Sequence, residues 1–182
     1  LTKPTDLDRM LQGCAEALVA DLDGGLAQIW TLNGSGQMLD LRASEGTDSG
    51  IDSPQRCVRV GSSTIGMIAA TRRPHVAAQD IDPPLVAADG VPPDGITAFA
   101  GYPLLVDSKL VGVMAISTRR GLSPAALESV PAVADAVAVG IERKRAEAEL
   151  ERHARHLEDA HDTQRQNAQQ LAALVEELRV AQ

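Results

Sequence analysis

Residues 100–118, AGYPLLVDSKLVGVMAIST, form the most apolar stretch of the 182-residue chain and constrain its fold most tightly. Pro103, Asp107, Ser108, Lys109 and Gly112 interrupt the stretch. That excludes an unbroken membrane span, which needs about 20 apolar residues. Two extended runs, ITAFAGYPLLV and KLVGVMAIST, flank DSK, and a connection of about three residues fits an antiparallel hairpin. Near-continuous hydrophobicity in both runs means that both faces of this hairpin are covered. Gly101 and Gly112 fall mid-strand, where a backbone or a helix can approach closely. What covers the two faces has to be found elsewhere in the chain.

Residues 6–20 place Leu7, Met10, Leu11, Cys14, Ala17 and Leu18 at helical spacing, with Thr5 or Asp6 as the cap. LAQIWTL (26–32) and QMLDLRA (37–43) flank the turn signal NGSG, which predicts a second hairpin. In the second run Leu39, Leu41 and Ala43 alternate against Met38 and Asp40, so the three apolar residues are expected on one face. Residues 44–57 read as a polar loop. VRVGSSTIGMIAATRRP (58–74) reads as a short strand, a glycine turn and a helix capped by Ser62 or Ser63 and ended by Pro74. HVAA (75–78) is a short strand. Residues 79–95, with four prolines and several Asp and Gly, form an irregular lid with room for one short helix around LVAA.

The last unit starts with Ser123 as cap and Pro124 at the first helical position, with Pro131 expected to kink the opening turns. From 132 to 182 nothing stops the helix, which would run about 75 Å. Val133, Val137 and Ile141 make one apolar face suited to the sheet. A second row follows a 3-4 spacing: Ala136, Val139, Arg143, Ala146, Leu150, His153, Leu157, Ala160, Gln164, Asn167, Leu171, Leu174 and Leu178. This reads as the seam of a coiled coil, leucine-rich at both ends and polar in its middle. Its expected partner is a second copy of the chain, as a parallel homodimer.

Composition narrows the function. The net charge is −8, and residues 1–142 carry most of it, with 10 Lys+Arg against 17 Asp+Glu. Trp30, Phe99 and Tyr102 are the only aromatics. An acidic body without stacking platforms or a basic footprint is not expected to bind nucleic acid. It is also not expected to contact anionic membranes directly. Two cysteines, Cys14 and Cys57, make neither a disulfide framework nor a CxxC pair. A start at Leu1 and an end inside a helical pattern read as a fragment of a longer, cytoplasmic protein.

The order helix, hairpin, loop, helix, strand, lid, hairpin, long helix resembles a GAF domain over roughly residues 5–145. The motifs that carry the resemblance are Gly61, Ile65, Gly66, Arg73 and Pro74 in the turn–helix–strand segment. In the hairpin they are Tyr102, Pro103, Leu104, Val106, Gly112 and Val113. GIERKRAEAELERH (140–153) is similar to the exit helices that lead into sensor histidine kinases, and similar linkers precede diguanylate cyclases. The resemblance implies an α+β, profilin-like central antiparallel sheet with the terminal helices on one face and a lid on the other, extended by a long C-terminal coiled-coil helix. Residues 1–145 are then the sensory domain and 146–182 the signalling helix, followed in the same chain by an output domain. The implied role is regulatory: a small molecule or redox input is relayed through the coil. The alternatives are a ligand-free dimerisation scaffold, the input domain of a diguanylate cyclase, or an enzyme of the free methionine sulfoxide reductase type.

The candidate ligand pocket consists of His75, Asp80, Leu85, Phe99, Met114 and Met67. Haem at His75 and bilin at Cys57 are both disfavoured, and the cofactor is otherwise unknown. Asp80, Asp82, Asp89 and Asp94 make the lid acidic, which opposes a phosphate unless Arg72 and Arg73 offset it. They lack the spacing of a calcium loop, and no metal site is expected. His153, His156 and His161 read as seam and flank residues of the coil. No catalytic constellation is present, so the chain is not expected to be an enzyme.

Overall fold

A computed structural model describes residues 5–20, 25–46, 56–77, 98–119 and 121–180, the side chains of 171–178 and 180 excepted. The chain divides into two units, Leu1–Glu142 and Arg143–Gln182. The elements are α1 (Asp6–Ala20), β1 (Leu26–Leu32), β2 (Met38–Gly46), β3 (Cys57–Arg59), α2 (Ser63–Thr71), β4 (His75–Ala77), β5 (Ala98–Val106), β6 (Lys109–Thr118) and α3 (Pro124–Val180). The strands form one sheet in the order β3-β2-β1-β6-β5-β4. Among the described residues all five strand pairings are antiparallel. The stretch 100–118 is therefore a hairpin within a covered sheet, as its hydrophobicity predicts. Its turn has two residues rather than three: Val106 pairs with Lys109, and Asp107 and Ser108 both take positive φ, 48° and 66°. That is the primed turn whose twist matches a two-residue hairpin.

Thr5 is the cap of α1. Its Oγ1 accepts a hydrogen bond from the Asp8 backbone N–H at 3.2 Å, and Asp8 Oδ2 accepts one from the Thr5 backbone N–H at 2.9 Å. This reciprocal capping box satisfies two donors that a helix start otherwise leaves open. At α3, Ser123 Oγ accepts from the Ala126 N–H at 3.2 Å, and Pro124 opens the helix. The helix α2 ends at Thr71, where Arg72 turns left-handed at φ 53° ahead of Pro74.

One face of the sheet is covered by α1 and the first turns of α3. Leu11, Ala15 and Leu18 meet Val130, Ala134, Val137, Ala138 and Ile141 over Ala27, Ile29, Ala43, Leu104, Val111, Met114 and Ile116. The opposite face holds Trp30, Leu39, Val58, Phe99, Leu110, Val113 and Ala115 under Ile65, Ile68 and Ala69 of α2. The two mid-strand glycines serve different neighbours. A Cβ on Gly112 would overlap the Trp30 carbonyl of β1, and one on Gly101 would overlap Ile68 Cδ1 of α2.

The register of β1 on β2 shifts between Ile29, opposite Ala43, and Trp30, opposite Leu41, which leaves Arg42 as an extra residue. Arg42 then lies on the α1 side, 2.9 Å from Asp8. Ala43 packs in the α1–α3 core, and Glu45 accepts from Gln12 of α1 at 2.8 Å. The expected alternation therefore fails at Ala43. It does not share a face with Leu39 and Leu41, because the bulge inserts one residue and inverts every side chain after it.

Candidate functional site

The face of the sheet under α2 is where the sequence points to a ligand. His75 of β4 is half-buried, and its ring lies 6.1 Å from that of Phe99 at 49°. Cross-strand pairing explains the contact: Ala77 is opposite Phe99 and His75 opposite Gly101, so the side chains of 75, 77 and 99 share a face. Without a side chain at Gly101, Ile68 and the Phe99 ring close over its backbone. Met67 is on α2 and 49% exposed, turned away from the buried row Ile65, Ile68 and Ala69.

Met114 does not belong with these residues. It is fully buried in the core on the α1–α3 side, opposite Tyr102. Phe99 pairs with Ser117, and in a strand of period 2 the residues that share its face are Val113, Ala115 and Ser117. Asp80 and Leu85, with Asp82, Asp89, Asp94 and the short helix expected at LVAA, lie outside the described residues. Of the proposed pocket, the structure brings together His75 and Phe99.

Two polar atoms on this side were not anticipated. Trp30 is 2% exposed and Ser44 3%, and among the described residues neither the indole Nε1–H nor the serine Oγ has a hydrogen-bond partner. Trp30 packs with the α2-side cluster. Ser44 sits between Ala43 and Glu45, which both face α1, and opposite Gln28, the neighbour of the α1-side Ile29. Pleating therefore puts Ser44 and Gln28 on the α2 side with Trp30. The signal that could have marked Trp30 is that it is the sole tryptophan of the chain, in a strand. Ser44 carries no such signal, because without the bulge it would face α1.

The pKa values of both thiols are raised. A hydrogen bond from Cys57 Sγ to Asp40 Oδ1, 3.1 Å, raises the pKa of exposed Cys57, with burial and the carboxylate charge adding to it. Burial raises that of Cys14, which packs against the α1–α3 core. Among the described residues, no three His, Cys, Asp or Glu side chains are grouped to hold a metal. The concave surface between Leu157, His161 and Gln164 belongs to one exposed helix and encloses nothing.

On α3 the two rows separate. Val130, Ala134, Val137, Ala138 and Ile141 are buried, while Val139, Leu150 and Leu157 are 58%, 70% and 72% exposed. Ala146, His153, Gln164 and Asn167 are exposed, and Arg143 Nε donates along the helix to Glu147 Oε1 at 2.9 Å. Hydrogen bonds from Lys144 and Arg143 lower the pKa of Glu147. The side chains of Leu171, Leu174 and Leu178 lie outside the described residues. By length and composition, α3 also contains a window apolar enough to cross a membrane. Its apolar opening turns are the part that covers the sheet.

A six-stranded antiparallel sheet with α1 and the first turns of α3 on one face and a short helix on the other defines a small α+β module. The chain belongs to the GAF domain family, whose model matches residues 4–142. No curated protein matches it. Among solved structures it is similar to the GAF domain of a phosphoenolpyruvate-protein phosphotransferase from Coxiella burnetii. That match has 18% identity and a TM-score of 0.66, covering 81% of this chain and 89% of the other. It is similar to residues 122 to 287 of a methyl-accepting chemotaxis protein at 19% identity and TM-score 0.61, covering 78% and 92%. A type II free methionine-R-sulfoxide reductase from Thermoplasma acidophilum matches at 14% identity and TM-score 0.61, covering 76% and 96%. At such identities the likeness is one of fold.

Proposed function

We propose that this chain is the regulatory input module of a signal-transduction protein, with a sensor histidine kinase as the first choice and a diguanylate cyclase as the second. In this reading a small molecule binds on the α2 face. The resulting change in sheet packing reaches Val130–Ile141, and a parallel coiled coil of two chains passes it to an output domain in the cytoplasm. The supporting observation is the division of labour on α3. One continuous helix buries one row against the sheet and leaves a second apolar row, Val139, Leu150 and Leu157, exposed at coiled-coil spacing. A ligand drives such a relay only through unequal affinity for two states of the coil.

Disulfide crosslinking tests the arrangement. Single cysteines at 150, 157 and 164, in a background lacking Cys14 and Cys57, are expected to pair between chains. Cysteines at 151 and 158 are not. No interchain pairing at any seam position would remove the dimer from the proposal.

A ligand-free scaffold is the second reading, favoured by the closure of Ile68 and Phe99 over Gly101, which fills part of the face. A thermal-shift metabolite screen with native mass spectrometry separates the two. The reductase-type reading draws no support from the thiols, since both pKa values are raised and a reactive cysteine needs the opposite.

A further inference from the structure

We infer that the α2 face contains a second, polar subsite on the sheet floor, formed by Trp30 Nε1–H and Ser44 Oγ. It takes an uncharged small molecule through a carbonyl- or hydroxyl-type oxygen. This rests on the sensory reading of the same face and names the chemistry of what binds there.

Folded chains leave few buried polar groups without a partner, because such a group has lost its water and gained nothing in return. Here two of them, both more than nine-tenths buried, lie on adjacent strands and on one face. Trp30 is opposite Leu41, and Ser44 is opposite Gln28, two residues before Trp30 on β1. That is the diagonal relation across neighbouring strands, about 7–8 Å between backbones and within reach of one small molecule touching both. The bulge at Arg42 is what brings them together. A β2 without it would turn Ser44 towards α1 and leave Trp30 alone.

The charge of the guest follows from the floor. The buried side chains described on this face are Ser44, Ser117 and apolar residues, with Gln28 and His75 half-buried, and Lys, Arg, Asp and Glu are not among them; Arg56, Arg72 and Arg119 are exposed. An anion buried there would lose its hydration without a countercharge. The indole N–H can only donate, while the serine hydroxyl both donates and accepts. The guest therefore supplies an acceptor oxygen to Trp30 and meets Ser44 with either an acceptor or a donor. An amide has both.

Because Trp30 is the only tryptophan, its indole N–H gives a single, assignable resonance in the ¹⁵N-labelled protein. Titration with acetamide and with N-methylacetamide is expected to move that resonance saturably. Sodium acetate and inorganic phosphate are expected to leave it in place. Ser44→Ala should weaken the amide response about tenfold. The same variant should leave Tm unchanged or slightly raised, since the hydroxyl it removes has no partner. Trp30→Phe keeps an aromatic six-membered ring, loses the donor with the rest of the indole, and should abolish the rise in Tm produced by N-methylacetamide.

The inference is overturned by no saturable movement with either amide, by equal movement with acetate or phosphate, or by an amide response unchanged in Ser44→Ala. A marked fall in Tm for Ser44→Ala also overturns it, because the hydroxyl would then be satisfied by an internal water. A metabolite that stabilises the domain without moving the indole defeats this subsite and leaves the sensory reading intact. If no metabolite or probe stabilises the domain and no copurifying mass is found, both fail.

Discussion

Cys57 is exposed on the short strand β3, yet its chemistry is set by one neighbour. The Asp40 carboxylate accepts its S–H and opposes the negative thiolate, so the thiol stays protonated at higher pH than usual. Asp40→Ala removes both effects. Alkylation of Cys57 near pH 8 by a maleimide or a disulfide reagent is expected to quicken by several-fold, on the order of the gain in thiolate fraction. Cys14, half-buried on α1, serves as the internal control and should not change. An unaltered Cys57 rate would mean that Asp40 does not govern it. The same scale shows where sequence reasoning reaches a limit. His75 and Phe99, each the lone residue of its kind in the body of the domain, do share a face. Met114 was assigned to the wrong face because β6 is apolar on both sides. Val113 and Met114 look alike to a pattern based on hydrophobicity, and only the pairing of Tyr102 with Met114 tells them apart.

At the level of elements, α1 is anchored by charge as well as by packing. Burial tends to raise the Asp8 pKa, but hydrogen bonds from Thr5 and the charge and hydrogen bond of Arg42 outweigh it, and the net shift is downward. A carboxyl depressed in the fold stabilises it at pH values above its unfolded pKa. That contribution disappears as pH falls through the folded value. Asp8→Asn is therefore expected to cost about 0.5–1 kcal/mol at pH 7. The difference from the parent should shrink as pH falls below the usual carboxylate range and through the depressed folded value. Urea denaturation across pH checks it, and a pH-independent difference would contradict the linkage.

The β5–β6 turn offers a complementary gain. Asp107 and Ser108 both hold positive φ, which costs a residue with a Cβ and suits glycine. Ser108→Gly should stabilise the domain by about 0.5–1 kcal/mol, read as a higher denaturation midpoint with unchanged slope. The Arg72 bond to residue 108 goes to its backbone oxygen, at 3.0 Å, and survives the change. A lower midpoint would mean that the serine side chain has a role of its own.

For the whole molecule, the decisive property is that the helix covering the sheet does not stop where the sheet stops. On the proposed dimer, Leu157 occupies a core layer of the coil, and Leu157→Asp places a carboxylate there. Self-association, measured by sedimentation, is expected to weaken about a hundredfold, on the order of 2–3 kcal/mol. The unfolding midpoint of residues 5–142 should stay unchanged, because Leu157 is 72% exposed. Association equal to the parent's would show that the seam is not the interface.

The element types followed from the sequence, because local periodicity, caps and turn residues act over a few neighbours. Helix α1, the two hairpins, α2 and the two-faced α3 were all legible that way, as was the double coverage of residues 100–118. What only the tertiary structure decided was phase. Strand alternation tells which residues share a face, but a bulge resets the count, and a strand apolar on both sides provides no polar marker for it. The one extra residue at Arg42 sends Ala43 to the helices. It also brings Ser44 to the side of Trp30, and a bulge of that kind is set by pairing with β1, not by β2 alone.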